Sequence, residues 1–300
     1  MATQGRGTLF DPVLVTDLFN KVKGKSSVAK LANQTPVAFN GNKEFTFSMD
    51  SEIDIVAENG AKSHGGITVA PVTIVPIKFE YGARISDEFM YATEEEQINI
   101  LTAFNDGFSR KVARGLDLAA FHGVNPRTAS ASAVVNGNDL DHKITSFITY
   151  ASATADDNLN DAIQAVNTAD GDVTGIAMSP AFASAMSAIK VNGARQYPEF
   201  AFGGRPDSFH GLGLDVNRTV SDMDVTDAAS YSYVGDFANA FKWGYAKEIP
   251  LKVIEYGCPD NDTEAGDLQG HNQVYLRAEV YLGWGILLPS SFAKIRTAKG

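Results

Sequence analysis

The residues best suited to chemistry lie in an acidic segment near the end of the chain, residues 260–271, which reads DNDTEAGDLQGH. Its carboxylates at alternating positions, Asp260, Asp262 and Glu264, are oxygen ligands of the kind that Ca²⁺ prefers. An EF-hand loop also needs Gly at its sixth position and Glu at its twelfth, where this segment has Ala265 and His271. The EF-hand match therefore fails. Two alternatives stay open: a looser carboxylate site for a divalent ion, or a solvated turn.

Other signatures of catalysis or cofactor binding are weak. Cys258 is the only cysteine, which excludes an intrachain disulfide and a cysteine-rich metal site. Residues 210–215 (HGLGLD) lack the third Gly of a dinucleotide-binding loop. No two histidines stand at the spacing of a metal-binding pair on a helix; they are His64, His122, His142, His210 and His271. We therefore expect no catalytic residue, no cofactor and no enzyme activity.

Composition is that of a globular protein with an acidic surface. The chain has 300 residues, 44% of them hydrophobic and 20% charged, enough for two or three subdomains with a sizeable core. The net charge of -11 argues against a dedicated nucleic-acid reader, which needs a basic footprint. The first 30 residues are mildly basic, with five Lys or Arg against two Asp. No segment resembles a signal peptide or a membrane span, so we expect a protein of the cytoplasm.

The acidic segment lies between two stretches with the alternation of β-strands. Before it, after a Gly235-Asp236-Phe237 turn, apolar residues alternate from Leu251 onward. After it, one side of a strand carries Val274, Leu276, Ala278 and Val280, and the other side carries Tyr275, Arg277, Glu279 and Tyr281. We predict a long hairpin whose inner side is apolar, with a disordered tip.

A second ribbon is predicted near the start of the chain. Phe45, Phe47 and Met49 alternate with polar residues, and Ile53 and Ile55 continue the alternation. Residues 58–66 form a Gly-rich tip, and residues 67–81 return as one strand whose prolines, at positions 71 and 76, mark a sheet edge. Because a two-stranded ribbon is marginal alone, we expect it to lie on a neighbouring subunit.

A long helix should follow the ribbon. Thr93 and Glu96 form a capping box, and apolar residues then recur every three or four positions from Ile98 to Ala119. Gly123 ends the helix after at least 25 residues, about twice the ordinary length.

The middle of the chain alternates between predicted helices and strands. A polar connection at residues 126–150 precedes a short helix around residues 159–166, a buried strand at residues 175–180 and a helix at residues 180–191. We expect this βα alternation to continue to about Val234. Residues 12–22 suggest one further short helix within the first 42 residues.

In this order the elements resemble the HK97-type major capsid proteins of tailed bacteriophages. The resemblance rests on GDF, the long hairpin with its Arg, and the terminal PSSF, together with RISDEFM, LDLAAFHG and MSPAFASAMSAIK followed by GLGLDV. It implies an α+β, HK97-like capsid fold. Its parts are an N-terminal arm (1–42), an extended β-ribbon loop (43–82), a peripheral domain with a spine helix and β-hairpin (83–149 and 246–290), and an axial α/β domain (150–245 and 291–300).

The resemblance also implies a function. The chain would self-assemble in hexamers and pentamers into an icosahedral shell, in the host cytoplasm, and would enclose double-stranded DNA in the virion without sequence-specific contacts. A portal, a separate scaffolding protein and a decoration protein are implied partners; the scaffold is expected to be separate because no long charged helical leader precedes the arm. Two alternatives stay open: an encapsulin-type compartment of the same fold, and a soluble carboxylate-rich ligand-binding protein or enzyme.

Site residues follow from the same resemblance. The ribbon tip would contact neighbours and bend during maturation through Glu58, Gly60, Lys62, Gly65 and Gly66. One branch of the family forms an isopeptide bond between a loop Lys and a hairpin Asn, assisted by a Glu with a raised pKa. The Asn, Arg and Glu spacing of that branch matches Asn272, Arg277 and Glu279, with Lys62 or Lys78 as the amine; ordinary polar strand residues are the alternative.

Overall fold

A computed structural model describes residues 25–221 and 229–298. The helix suggested at residues 12–22 lies outside this part of the chain. The α-helices in the described residues are α1 (Ser27–Leu31), α2 (Glu94–His122), α3 (Leu140–Lys143), α4 (Ala155–Thr168) and α5 (Pro180–Ala188).

The strands form two larger sheets and three small pairs. The first sheet has the order β1-β14-β15-β4, the second the order β11-β12-β8-β13-β16-β7, and the pairs are β2-β3, β5-β6 and β9-β10. Their bounds are β1 (Asn33–Gln34), β2 (Asn42–Met49), β3 (Ile67–Ile74), β4 (Ile77–Ser86), β5 (Val124–Asn125), β6 (Ser130–Ala131), β7 (Phe147–Thr149), β8 (Gly175–Met178), β9 (Lys190–Val191), β10 (Ala194–Arg195), β11 (Ser208–Phe209), β12 (Leu212–Val216), β13 (Ser230–Gly235), β14 (Phe241–Ile254), β15 (Gln273–Ile286) and β16 (Phe292–Arg296).

The long helix predicted after Thr93 is confirmed as α2, which has 29 residues and is therefore about 43 Å long. The Thr93 and Glu96 capping box is formed, and Gly123 ends the helix in the left-handed conformation, its N–H donating to the Ala119 carbonyl. The second half of α2 is buried against the first sheet through residues such as Leu116. A capped helix with one apolar side gives the rest of the molecule a rigid support.

The predicted C-terminal hairpin is confirmed as β14 and β15, each of 14 residues. The inner side of β15 is buried, as the alternation predicted, whereas Leu251 and Val253 of β14 are half-buried. The outer side of β15 is not uniformly exposed, because Tyr275 and Glu279 are buried too. Tyr275 lies over Gly82 of the adjacent strand β4, where no side chain competes for the space. The register shifts twice along the hairpin, once near Tyr245 and once beyond Ile249.

The ribbon near the start of the chain is confirmed as β2 paired with β3, but its limits differ from the prediction. Strand β2 ends at Met49, so Ile53 and Ile55 are not in a strand. The predicted return strand is two strands, because β3 pairs with β2 whereas β4 pairs with β15. Pro76 lies between them, where its missing N–H interrupts the ladder and the chain changes partner.

The second sheet carries α4 and α5 and has its own apolar cluster. The buried strand predicted before Pro180 is confirmed as β8, parallel to β12 and antiparallel to β13. The βα alternation does not continue beyond α5, which ends at Ala188 because the chain turns there into the β9-β10 pair. Short strands and 3-10 turns follow. The division of the chain into arm, loop, peripheral and axial domains stays a prediction.

Candidate functional site

One side of the β2-β3 ribbon is apolar and exposed. Phe45, Phe47 and Met49 are 68%, 57% and 69% exposed. Directly opposite residues of an antiparallel pair share a side, and the partners of these three are Pro71, Val69 and Ile67. We call these six residues the ribbon face. Contiguous apolar surface of this kind on a folded protein marks an interaction site.

The loop between the two ribbon strands, residues 50–66, is entirely exposed. Asp50 closes its base: its Oδ1 accepts the Gly66 N–H at 2.6 Å, and this hydrogen bond lowers the pKa of Asp50. A Cβ on Gly66 would meet the Asp50 carboxylate, so a larger residue there would displace that exposed side chain. Ile53 and Ile55 are 91% and 96% exposed.

All five predicted intersubunit residues lie in this loop: Glu58, Gly60, Lys62, Gly65 and Gly66. Within the described part of the chain, neither Glu58 nor Lys62 makes an ion pair. Gly60 donates its N–H to the Ala57 carbonyl at 2.9 Å, which forms a turn. A contact of these residues with another subunit stays a prediction.

The acidic hairpin tip, predicted to be disordered, consists of hydrogen-bonded turns, and Arg84 of β4 binds it. Arg84 binds Asp260 through two hydrogen bonds of 2.7 Å, and its Nη1 donates to the Ala265 carbonyl at 3.1 Å. The Arg84 guanidinium holds the pKa of Asp260 far below its usual range. Asp262 accepts the backbone N–H groups of Glu264 and Ala265, both at 3.0 Å. The tip is therefore a set of hydrogen-bonded turns.

This geometry bears on the metal candidates Asp260, Asp262 and Glu264. Asp260 already faces a guanidinium, and the described residues contain no group of three His, Cys, Asp or Glu side chains that could hold a metal ion. The structure therefore does not bring the three carboxylates together as a ligand set. None of the helices in residues 25–221 and 229–298 has both the length and the apolar character needed to cross a bilayer.

The crosslink candidates Lys78 and Glu279 form an ion pair within one chain. Lys78 Nζ lies 2.7 Å from Glu279 Oε1 and 3.2 Å from Glu80 Oε2, and Arg277 Nε lies 3.3 Å from the same Glu279 oxygen. The hydrogen bond to Glu279 raises the pKa of Lys78. Lys78 is therefore an ammonium ion at neutral pH, a poor nucleophile.

The expectation of a raised pKa at Glu279 is wrong. Burial acts to raise it, but the hydrogen bond from Lys78 and the charge of Arg277 outweigh burial, so the pKa of Glu279 is lowered. Glu279 is thus an ionised, buried acceptor shared by two cations in this chain. Both partners therefore oppose its protonation.

Asn272 lies at the end of the hairpin tip, directly before β15. Its φ is 53°, in the left-handed region that Asn tolerates better than most residues, and its carbonyl accepts the Asp87 N–H at 3.0 Å. Glu279 is seven residues farther along the strand, about 23 Å away. No hydrogen bond or ion pair of the described residues joins Lys62 to either of them. The structure therefore does not bring the three candidates together within one chain.

Asp117 of α2 is a buried polar residue whose role was not predicted from the sequence. Its carboxylate accepts the Ser26 hydroxyl at 2.5 Å, the backbone N–H groups of Ser27 and Val28 at 3.0 and 3.1 Å, and the Thr219 hydroxyl at 2.7 Å. Asp117 thus caps the short helix α1 and fixes it to the long helix.

A match to a family model identifies the proteins that share this architecture. The model of the phage capsid family matches residues 7–297, nearly the whole chain. The chain belongs to the phage capsid family. It is a major capsid subunit with an HK97-like fold, and its place is the virion shell. Neither the encapsulin nor the soluble ligand-binding alternative is favoured by these matches.

Solved structures give the same fold. A chain of Mycobacterium phage Ogopogo is 31% identical, with a TM-score of 0.76 over 91% of this chain and 92% of that one. A chain of Gordonia phage Cozz is 25% identical, with a TM-score of 0.74 over 92% and 87%. The capsid of the empty GTA particle, at 15% identity, has a TM-score of 0.62 over 91% and 90% and shows the fold alone. No curated protein matches.

Two features of this capsid subunit were missed at the level of sequence. The first is Asp117, whose only signal was a carboxylate between Leu116 and Leu118 on a buried helix. The second is Arg84, which binds the hairpin tip although it lies 176 positions from Asp260. Both residues bind parts of the chain that are distant in sequence, and no local sequence pattern predicts such contacts.

Proposed function

We propose that this capsid subunit forms hexamers and pentamers of an icosahedral shell around double-stranded DNA, and that it holds its neighbours through the ribbon. The observation that supports the proposal is the exposed ribbon face. Contiguous apolar surface is unfavourable in water unless another chain covers it. Covering six half-exposed apolar side chains would contribute on the order of 5 kcal/mol per ribbon before association costs. Many such contacts per shell make a permanent assembly from individually weak ones.

The mechanism is association and not catalytic turnover. The polar clusters built by Asp117, Arg84 and Glu279 are hydrogen-bonded within the chain and serve its structure. We propose non-specific DNA contact, assembly in the bacterial cytoplasm, and a separate scaffolding protein, a portal and a decoration protein as partners. The mildly basic first 30 residues on an acidic chain support the DNA contact.

The mass of the purified protein tests this function. By light scattering, with negative-stain images of the same sample, we expect closed shells, or pentamers and hexamers that close into shells when a crowding agent is added. Absorbance at 260 and 280 nm then reports nucleic acid inside shells made in cells. A chain that stays monomeric under every condition would contradict the proposal.

The candidate crosslink is a separate proposal and has its own test. A neutral Lys62 amine would attack the Asn272 carboxamide carbon of a neighbouring copy, forming an isopeptide bond and releasing ammonia. Lys62 is the candidate amine because it is exposed, whereas Lys78 is held by Glu279. On denaturing gels, assembled shells should then give bands of several chains, which Lys62→Arg should remove. Bands of one chain only, from fully assembled shells, would eliminate the crosslink.

A further inference from the structure

Asparagine followed by glycine is a sequence that can modify itself. This chain contains four such pairs: Asn40-Gly41, Asn59-Gly60, Asn136-Gly137 and Asn192-Gly193. The glycine nitrogen attacks the side-chain carbonyl carbon of the asparagine, and glycine permits the approach because it has no side chain in the way. The product is a small ring, which closes only when this nitrogen lies on the same side of the Cα–C bond as the Asn side chain. The backbone conformation therefore decides which pairs react.

Two of the pairs are held in a conformation that prevents the attack. Asn136 and Asn192 have φ of 48° and 51°. In this left-handed region ψ is also positive, so the following nitrogen points away from the side chain. Asn192 and Gly193 form the two-residue turn between β9 and β10, a turn type that requires positive φ at both positions. Neither pair closes the ring while its turn is intact.

The pair at Asn40 is fixed by its surroundings. Gly41 donates its N–H to the Ala38 carbonyl at 2.8 Å, and Asn42 Oδ1 accepts the Ala38 N–H at 2.9 Å. A Cβ on Gly41 would lie 2.9 Å from the Ile74 carbonyl oxygen, so this glycine packs directly against strand β3. The turn therefore leaves the Gly41 nitrogen little freedom to approach the Asn40 side chain.

Asn59 has fewer constraints than the other three asparagines. It lies in the ribbon loop, residues 50–66, where every residue is exposed, and its φ is not positive. In the described part of the chain, one hydrogen bond involves residues 52–65, from the Gly60 N–H to the Ala57 carbonyl at 2.9 Å. Water competes for the groups of an exposed turn with no buried contacts, so this turn opens at low cost.

We propose that Asn59-Gly60 is a self-modification site, at which the folded chain loses the side-chain amide of Asn59. The Gly60 nitrogen bonds to Asn59 Cγ, the Cγ–Nδ2 bond breaks, and Nδ2 leaves as ammonia with the proton from Gly60. Water then adds to either carbonyl of the succinimide ring and opens it, which leaves aspartate or isoaspartate. The reaction requires only water, so this inference goes beyond the proposed function and does not depend on assembly.

The product would change the charge of the ribbon loop. Residues 50–66 carry four carboxylates against one Lys. Each conversion adds a further carboxylate directly beside Glu58, and isoaspartate also lengthens the backbone by one carbon. Older chains would therefore have a more acidic ribbon loop than new ones.

Peptide mapping of the full chain tests the site. Trypsin places the four pairs in separate peptides: residues 31–43, 44–62, 128–143 and 191–195. The purified protein is incubated at slightly alkaline pH, and each peptide is compared with a sample taken at time zero. Peptide 44–62, in which Asn59 is the only Asn, should gain about 1 Da on the order of ten to a hundred times faster than peptide 191–195, since reacting atoms held out of position lose about that much rate.

The same incubation in urea is the control for the fold. Unfolding frees all four backbones, so the rates of the four peptides should converge. Asn59→Ser should abolish the mass gain in peptide 44–62, whereas the matched Asn192→Ser should leave that gain unchanged. If peptide 44–62 gains mass no faster than peptide 191–195 in the folded chain, or if its lead is the same in urea, the site proposal is wrong while the proposed function stands. A chain that gains mass as expected but never assembles supports the site and contradicts the proposed function.

Discussion

The double variant Phe45→Ser, Phe47→Ser is expected to fold normally and to form no shells. Both side chains are more than half exposed in the free chain, so replacing them should change its free energy of unfolding by less than about 1 kcal/mol. In the shell both would be covered, and each ribbon would lose about 2 to 3 kcal/mol of apolar burial. Since every subunit loses the same contact, the loss multiplies over the assembly.

The measurement is shell yield by light scattering beside circular dichroism of the same samples. The matched control is Thr46→Ala with Thr68→Ala, two substitutions on the opposite side of the same ribbon. We expect the control to assemble like the wild type. Normal shells from the double Phe variant would mean that the ribbon face stays exposed in the assembly, and the ribbon would lose its proposed role.

Replacing Asp117 by Ala should be the most destabilising change to the subunit itself. The substitution leaves the backbone N–H groups of Ser27 and Val28 and the hydroxyl of Thr219 buried without an acceptor. Each unsatisfied donor costs about 1 to 3 kcal/mol, so we expect a loss of roughly 3 to 5 kcal/mol in the free energy of unfolding. Urea denaturation of the unassembled subunit measures it. The exposed Asp161→Ala is the control, with an expected change below about 0.5 kcal/mol.

The same residue predicts an unusual dependence of stability on pH. Burial raises the pKa of Asp117 to about 6, against the hydrogen bonds from Ser26, Ser27 and Thr219, which act to lower it. The folded chain therefore holds this proton more tightly than the unfolded chain, whose Asp has a pKa of about 3.9. The resulting stabilisation is complete below about pH 4 and is lost as the pH rises through about 6.

The difference in unfolding free energy between the wild type and Asp117→Asn isolates this group from the other carboxylates. It should fall by about 2 kcal/mol between pH 4 and pH 7, because a shift of about two units is worth nearly 3 kcal/mol in full and the unfolded Asp is already about half ionised at pH 4. Carboxylates with lowered pKa, such as Glu279, contribute with the opposite sign but cancel in the difference. A difference that stays constant or rises with pH would contradict the assignment.

Local features of the fold were predictable from sequence, whereas contacts between residues far apart in the chain were not. The capping box at Thr93 and the C-terminal Gly123 are signals within a few residues of the helix ends, and both predictions were confirmed. Residues 67–81 look like one strand because β-branched and aromatic residues recur along it, and the sequence alone does not show that β3 and β4 pair with different strands. The pKa of Glu279 was mispredicted because its direction depends on Lys78, 201 positions away.

The ribbon face could be predicted from the sequence because alternation fixes which side chains share a side of a strand. From the marginal stability of an isolated ribbon we predicted that it lies on a neighbouring subunit. In the free chain its apolar side is exposed, and the contact with a neighbour stays a prediction. The acidic tip, in contrast, was read as disordered because its composition is polar and rich in Gly and Asp. In the structure it consists of hydrogen-bonded turns, and Arg84 of another strand binds it through two hydrogen bonds to Asp260.

The short joint between β3 and β4 determines how mechanical load would pass through the subunit. Only Val75 and Pro76 separate the ribbon from a strand with ten residues in register on β15. Tension applied to the ribbon would therefore reach β4 along the covalent backbone and pull it lengthwise, so that its ladder hydrogen bonds resist together instead of opening one after another. With the proposed contact to a neighbouring subunit, the ribbon would act as a tether and the first sheet as its anchor.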